Sequence, residues 1–82
     1  MFYFLEEPYA GDILDICLEV GKRICELRLQ NGRTQEYLSG FADVSQPYLC
    51  RIEQGKKEVG LKTLQRIADA LDVSIRDLLP MG

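Results

Sequence analysis

An all-α domain of five helices with short joints is what this chain of 82 residues predicts, on three observations. Apolar residues recur at gaps of three and four along most of its length, with no strand-like alternation of any extent. Thr34, Ser45 and Ser74, residue types that cap helix N-termini, each stand at the head of such a stretch. The segments between stretches are short and carry the helix-stopping residues, as in "QNG" and "EQGKKEVG".

In the first helix Ile13, Ile16 or Cys17, Val20, Ile24 and Leu27 form the stripe. They predict a start near Asp12 and an end at Asn31 and Gly32, which suit a C-terminal cap. Gly21 lies in its middle, where glycine costs about 1 kcal/mol relative to alanine. Thr34 opens a second helix, "TQEYLSGFA", and Ser45 a third. Pro47 then falls in the first turn of the third helix, where its missing N–H removes no intrahelical bond. Leu61, Leu64, Ile67, Ala68 and Leu71 are the stripe of the fourth helix. A fifth follows from Ser74, with Asp77 at capping-box spacing and Pro80 ending it. Residues 1–11 precede these elements as an acidic and aromatic arm, and residues 12–82 make up the domain.

Size and composition exclude several functions. A core of this length is close to the lower limit of self-sufficiency and leaves little room for a deep cavity, so no small-molecule ligand is expected. No run approaches the roughly 18 apolar residues of a membrane span. The N-terminus "MFYFLEEPYAGD" is apolar only over residues 1–5 and carries acids without a base, unlike a secretory signal; the expected location is the cytoplasm. Cys17, Cys25 and Cys50 are an odd number with no C-x-x-C pair, and the chain has no histidine, so neither a metal nor a cofactor is expected. Eight helical residues place Cys17 and Cys25 roughly 12 Å apart, beyond disulfide reach, which predicts reduced thiols. Without histidine, a nucleotide loop or a pocket, no acid, base and nucleophile can be assembled, and the chain is not expected to be an enzyme.

The net charge of −3 argues at first against a polyanionic partner, yet it is unevenly spread. Residues 1–20 hold Glu6, Glu7, Asp12, Asp15 and Glu19 and no base. The other 62 residues carry all ten Lys and Arg against eight acids. An acidic segment therefore precedes a weakly basic one.

Between Thr34 and Gln54 two short helices are joined by "DV", and Leu38 and Val44 can pack beneath Leu49 and Ile52 to fix their angle, the arrangement of a helix-turn-helix. With Leu49 and Ile52 inward, the rows Gln46/Cys50 and Pro47/Arg51 face outward. Glutamine can pair with adenine N6 and N7, arginine with guanine O6 and N7, and an apolar ring can touch a thymine methyl. Double-stranded DNA is the partner such a face fits.

Three blocks, "GKRICELRLQNGRTQEYL", "VSQPYLCRIEQGKK" and "LKTLQRIADALDVSIRDLL", resemble the successive signature blocks of the Cro and phage-repressor type of helix-turn-helix domain, common in small bacterial and phage regulators. Together they cover about residues 20–79. The resemblance implies a lambda-repressor-like fold and a sequence-specific transcriptional regulator that works as a homodimer on a pseudo-palindromic operator. Among such regulators a stand-alone domain resembles phage repressors and restriction-modification controller proteins. Carried over by position, Gln46, Pro47 and Arg51 contact bases, while Gln35, Ser45, Tyr48, Lys56 and Lys57 contact the DNA backbone. Arg28 and Glu53 match a structural ion pair. Leu78, Leu79 and Met81 would pair the subunits, with help from Phe2 and Phe4. Asp43 and Asp72 stand where the family often has glycine, and aspartate is among the few residues that tolerate a left-handed conformation. Ser39 replaces a usual alanine. Cys50 replaces a common serine on the groove-facing side and is the candidate for redox sensitivity. An isoelectric point near 4.8 favours the alternative, an antitoxin-like protein-interaction module of the same fold with weak or no DNA binding.

Overall fold

The computed structural model describes the backbone of residues 6–80 and the side chains of residues 16–80. Four α-helices, α1 (Glu6–Gln30), α2 (Gln35–Ala42), α3 (Gln46–Glu53) and α4 (Leu61–Leu71), are followed by one 3-10 turn, Ile75–Leu78. The fold is all-α as expected, with a 3-10 turn where a fifth α-helix was expected. Only five residues separate Ser74 from Pro80. Asp77 accepts the Ser74 N–H at 3.1 Å, while the preference of pre-proline residues for extended backbone holds Leu79 at φ −98° and ψ 147°. An α-helix has no room to propagate there.

The start of α1 at Glu6 lies six residues ahead of the Asp12 start expected from the stripe. Pro8 falls in the first turn of this longer helix, where its missing N–H loses no intrahelical bond. Gln30 is followed by Gly32 at φ 67°, and the Arg33 N–H closes the end on the Arg28 carbonyl at 2.9 Å. Thr34 and Ser45 cap α2 and α3 as expected, accepting from the N–H groups of Tyr37 at 3.0 Å and Tyr48 at 3.2 Å. The two aspartates at family glycine positions are the two non-glycine residues with positive φ among those described, Asp43 at 62° and Asp72 at 60°. Each closes its helix in the same way: the next N–H, of Val44 or Val73, reaches back to Ser39 or Ala68 at 3.0 Å.

The core joins Val20, Ile24 and Leu27 of α1, Leu38 and Ala42 of α2, Leu49 and Ile52 of α3, and Leu64, Ile67, Ala68 and Leu71 of α4. Leu78 completes it at 0% exposure, so it cannot pair subunits, contrary to expectation. The 3-10 turn that carries Leu78 folds back against α1 and α4 and places this side chain among their core residues. Leu79 is half-buried, and Met81, like Phe2 and Phe4, lies outside the described residues. Two stripe residues stay outside the core: Ile16 is 49% and Leu61 78% exposed.

Gly21 has a tertiary reason that its propensity conceals. A Cβ there would stand 2.1 Å from the Ile52 carbonyl oxygen and 3.0 Å from that of Glu53. Only glycine lets α1 pass this close behind the last turn of α3.

Candidate nucleic-acid interface

The position of α3 follows from what holds it. Leu49 and Ile52 are buried to 0% and 1% exposure, Ser45 caps its first turn, and α1 crosses behind its last. The 100° step of the helix then turns Gln46, Pro47 and Arg51 outward, all exposed, with Cys50 half-buried among them. Gln35, at the start of α2, joins Gln46, Pro47 and Cys50 around one shallow depression of about 280 Å³. Three of the sequence-derived contact residues and the candidate redox cysteine thus come together at the α2–α3 junction.

Beneath this face lies a buried ionic cluster. Arg28 donates to Glu53 through Nε at 2.7 Å and Nη2 at 3.0 Å, and through Nη1 to the Arg33 carbonyl at 2.9 Å. Gln35 adds its own amide N–H to Glu53 at 3.0 Å. The expected ion pair therefore ties the end of α1 to the end of α3, and through Gln35 to the start of α2. Both charges are nearly sealed, their side chains 10% and 5% exposed, and no buried side-chain nitrogen or oxygen among the described residues lacks a partner. The hydrogen bonds to Glu53 raise the Arg28 pKa above its ordinary value against the opposing effect of burial. Burial and then the Glu53 charge push the neighbouring Cys25 thiol up, so it is held in its neutral form. Neutralising Glu53 also matters for the surface, because it leaves Arg51 as the exposed charge of α3.

The remaining sequence-derived residues fall nearby in different ways. Ser45 spends an oxygen lone pair on its cap and keeps its hydroxyl proton as a donor. Tyr48 packs on the core and donates its hydroxyl to the Glu58 carbonyl at 3.1 Å, so it braces the loop after α3. In that loop Gly55 turns at φ 76° against Leu18, and the Lys56 N–H caps α3 on the Arg51 carbonyl at 2.9 Å. Lys56 and Lys57 are exposed, but Lys57 borders a separate apolar groove of about 300 Å³ whose lining includes Ile16, Cys17, Val59, Leu61 and Leu79.

Sequence reasoning missed the hydrogen bond from Gln35 to Glu53 and two further features of this region. Gln54 donates to the Cys50 sulfur at 3.5 Å; its place four residues after Cys50 was the available signal. On the outer side of α2, Tyr37 and Phe41 stand exposed with ring centroids 5.8 Å apart, and the Arg33 guanidinium lies 4.5 Å above the Tyr37 ring. Two aromatics at i and i+4 beside the buried position Leu38 were the sign of it.

Comparison with known proteins agrees with this geometry. The family model described as Helix-turn-helix, HTH_3, matches residues 24–78. The chain is 34% identical over 62 residues to the HTH-type transcriptional regulator DdrOP3 of Deinococcus deserti, covering 76% of this chain but 48% of that protein, so it spans about half of that relative's length. It is 33% identical over 66 residues to the control protein C.BamHI of Bacillus amyloliquefaciens, covering 79% of this chain and 82% of the relative. Among solved structures it is similar to the restriction-modification controller protein C.AhdI of Aeromonas hydrophila, with a TM-score of 0.75 and 32% identity over 77% of this chain and 96% of that one.

Proposed function

The chain belongs to the HTH_3 helix-turn-helix family of DNA-binding transcriptional regulators, and from that premise we propose that it binds a specific operator as a homodimer, with α3 in the major groove. The observation that carries this reading is the division of α3 into a fully buried side and an exposed one bearing Gln46, Pro47 and Arg51. A helix pinned this firmly presents its outer side chains in fixed register, which direct reading of base edges requires. In the proposed complex these three residues meet bases. Gln35, with the N–H groups that open α2, meets a phosphate. Ser45, Lys56 and Lys57 serve as further backbone contacts, and Tyr48 supports them from the loop it braces.

With Leu78 in the core, the proposed pairing surface becomes the groove that Leu79 shares with Ile16 and Leu61. A second copy over Leu61 would remove the most exposed large apolar side chain among those described from water. Two domains related by a two-fold axis would then read a pseudo-palindrome.

The exposed Tyr37 and Phe41 favour a second reading, an interaction module that captures another protein. Selecting sites from random duplexes with the full chain separates the two. Enrichment of one shared palindrome is expected; no enrichment, together with tight capture of a protein partner, overturns the regulator.

A further inference from the structure

The depression between α2 and α3 has a composition that hydrogen-bonded base reading does not call for. Of its four lining residues two are amides, Gln35 and Gln46, and two are apolar, Pro47 and Cys50. Pro47 and Cys50 stand three residues apart on one helix face, so they form a continuous patch. The proline ring has no donor or acceptor. The thiol is half-buried, and its sulfur already accepts from Gln54. A group entering the depression therefore meets carbon and sulfur from Pro47 and Cys50 as well as the amides of Gln35 and Gln46.

The apolar group that an unmodified base pair offers in the major groove is the C5-methyl of thymine. We propose that this depression is a subsite for the 5-methyl group of a pyrimidine, seated against Pro47 and Cys50, with Gln46 beside it for the polar edge of the same or the neighbouring base pair. Thymine and 5-methylcytosine carry the methyl at the same ring position, so both present the group the site fits. The proposal rests on α3 reading the major groove, and it makes Pro47 and Cys50 determinants of sequence preference. Pro47 need not form hydrogen bonds to discriminate: where it meets a base lacking the methyl, its ring faces water.

Removing one buried methyl should weaken binding about four-fold per subsite, from the transfer free energy of a single such carbon. A dimer with two equivalent half-sites should lose about fifteen-fold when both methyls go, the product of two independent losses. The test uses the full chain and its best selected duplex, with each thymine replaced in turn by uracil, which deletes only the methyl. Each cytosine is likewise replaced by 5-methylcytosine, and dissociation constants are read by fluorescence anisotropy.

One thymine per half-site is expected to show the four-fold loss. The loss should shrink toward nothing in Cys50→Ser and in Pro47→Ala, and circular dichroism should show both variants folded. A cytosine placed at the sensitive position should bind better when methylated. Three results overturn the subsite while leaving the regulator intact: a best duplex without thymine in either half-site, thymines all indifferent to uracil, or a uracil penalty unchanged in both variants. Binding to no duplex at all overturns the regulator itself.

Discussion

Gly21→Ala tests whether the close passage of α1 behind α3 fixes the recognition helix. The new Cβ would lie 2.1 Å from the Ile52 carbonyl oxygen, and the obstacle is the backbone of a buried turn rather than a side chain that can swing away. Restoring van der Waals separation requires α1 to withdraw by about 1 Å, and a gap of that order forfeits a quarter to a half of the dispersion contact across it. Val20 and Ile24 flank the position, and their burial is worth about 1.5–3 kcal/mol each, so about 1–2 kcal/mol is lost there. Stretching the Arg28–Glu53 hydrogen bonds of 2.7 and 3.0 Å removes roughly another 1–2 kcal/mol. The gain in helix propensity returns about 1 kcal/mol. The net expectation is a destabilisation of about 2 kcal/mol. Urea unfolding followed by circular dichroism should show it as a midpoint lower by about 2 M, for a slope near 1 kcal/mol/M. Helix propensity alone has the opposite sign. A Gly21→Ala protein as stable as the parent, or more so, would refute the close-passage argument.

Other expectations follow from the same contacts. Glu53→Ala leaves the Arg28 charge buried without its partner and should cost about 3–5 kcal/mol in urea unfolding; a loss below 1 kcal/mol would mean water reaches Arg28 freely. Asp43→Gly should stabilise the domain by about 0.5–1 kcal/mol by relieving a side chain at φ 62°, whereas Asp43→Val should destabilise it by more than that. Cys25 should react with maleimide more slowly in the native protein than in urea at the same pH, because its raised pKa keeps the thiol neutral. The sign of the linked stability follows: the contribution is fully present below the thiol's unfolded pKa and is lost as pH rises through the raised folded value. Stability should therefore fall less steeply above the unfolded pKa in Cys25→Ser than in the parent.

Much of this architecture could be read from the chain, for local reasons. The caps Thr34 and Ser45, the Pro47 start and the left-handed Asp43 and Asp72 are properties of a few neighbouring residues. The outward turn of Gln46, Pro47 and Arg51 was legible because the helical step leaves no alternative once Leu49 and Ile52 are buried. What escaped depends on contacts between distant segments. Gly21 reads as a propensity penalty until the carbonyls of α3 are brought against it, and Leu78 reads as spare apolar surface until the core is seen to be incomplete without it. The hydrogen bond from Gln35 to Glu53 spans 18 residues, and neither residue type announces it. Lys57 comes only four residues after the end of α3, yet it borders the groove of Ile16 and Leu61, beyond the turn that Gly55 makes at φ 76°.

The central claim, that α3 reads bases while the loop after it holds the backbone, is tested most directly by comparing Arg51→Ala with Lys57→Ala on the best selected duplex, on its single-base variants, and across salt concentration. Arg51→Ala should cost about 1–3 kcal/mol on the best site and flatten the preference at one or two base pairs, since a good base contact is worth that much discrimination. Lys57→Ala should weaken all duplexes alike and lower the salt slope by about one unit, because one fewer counterion is released on binding. Uniform weakening with specificity intact in both variants would contradict the reading of DNA by α3.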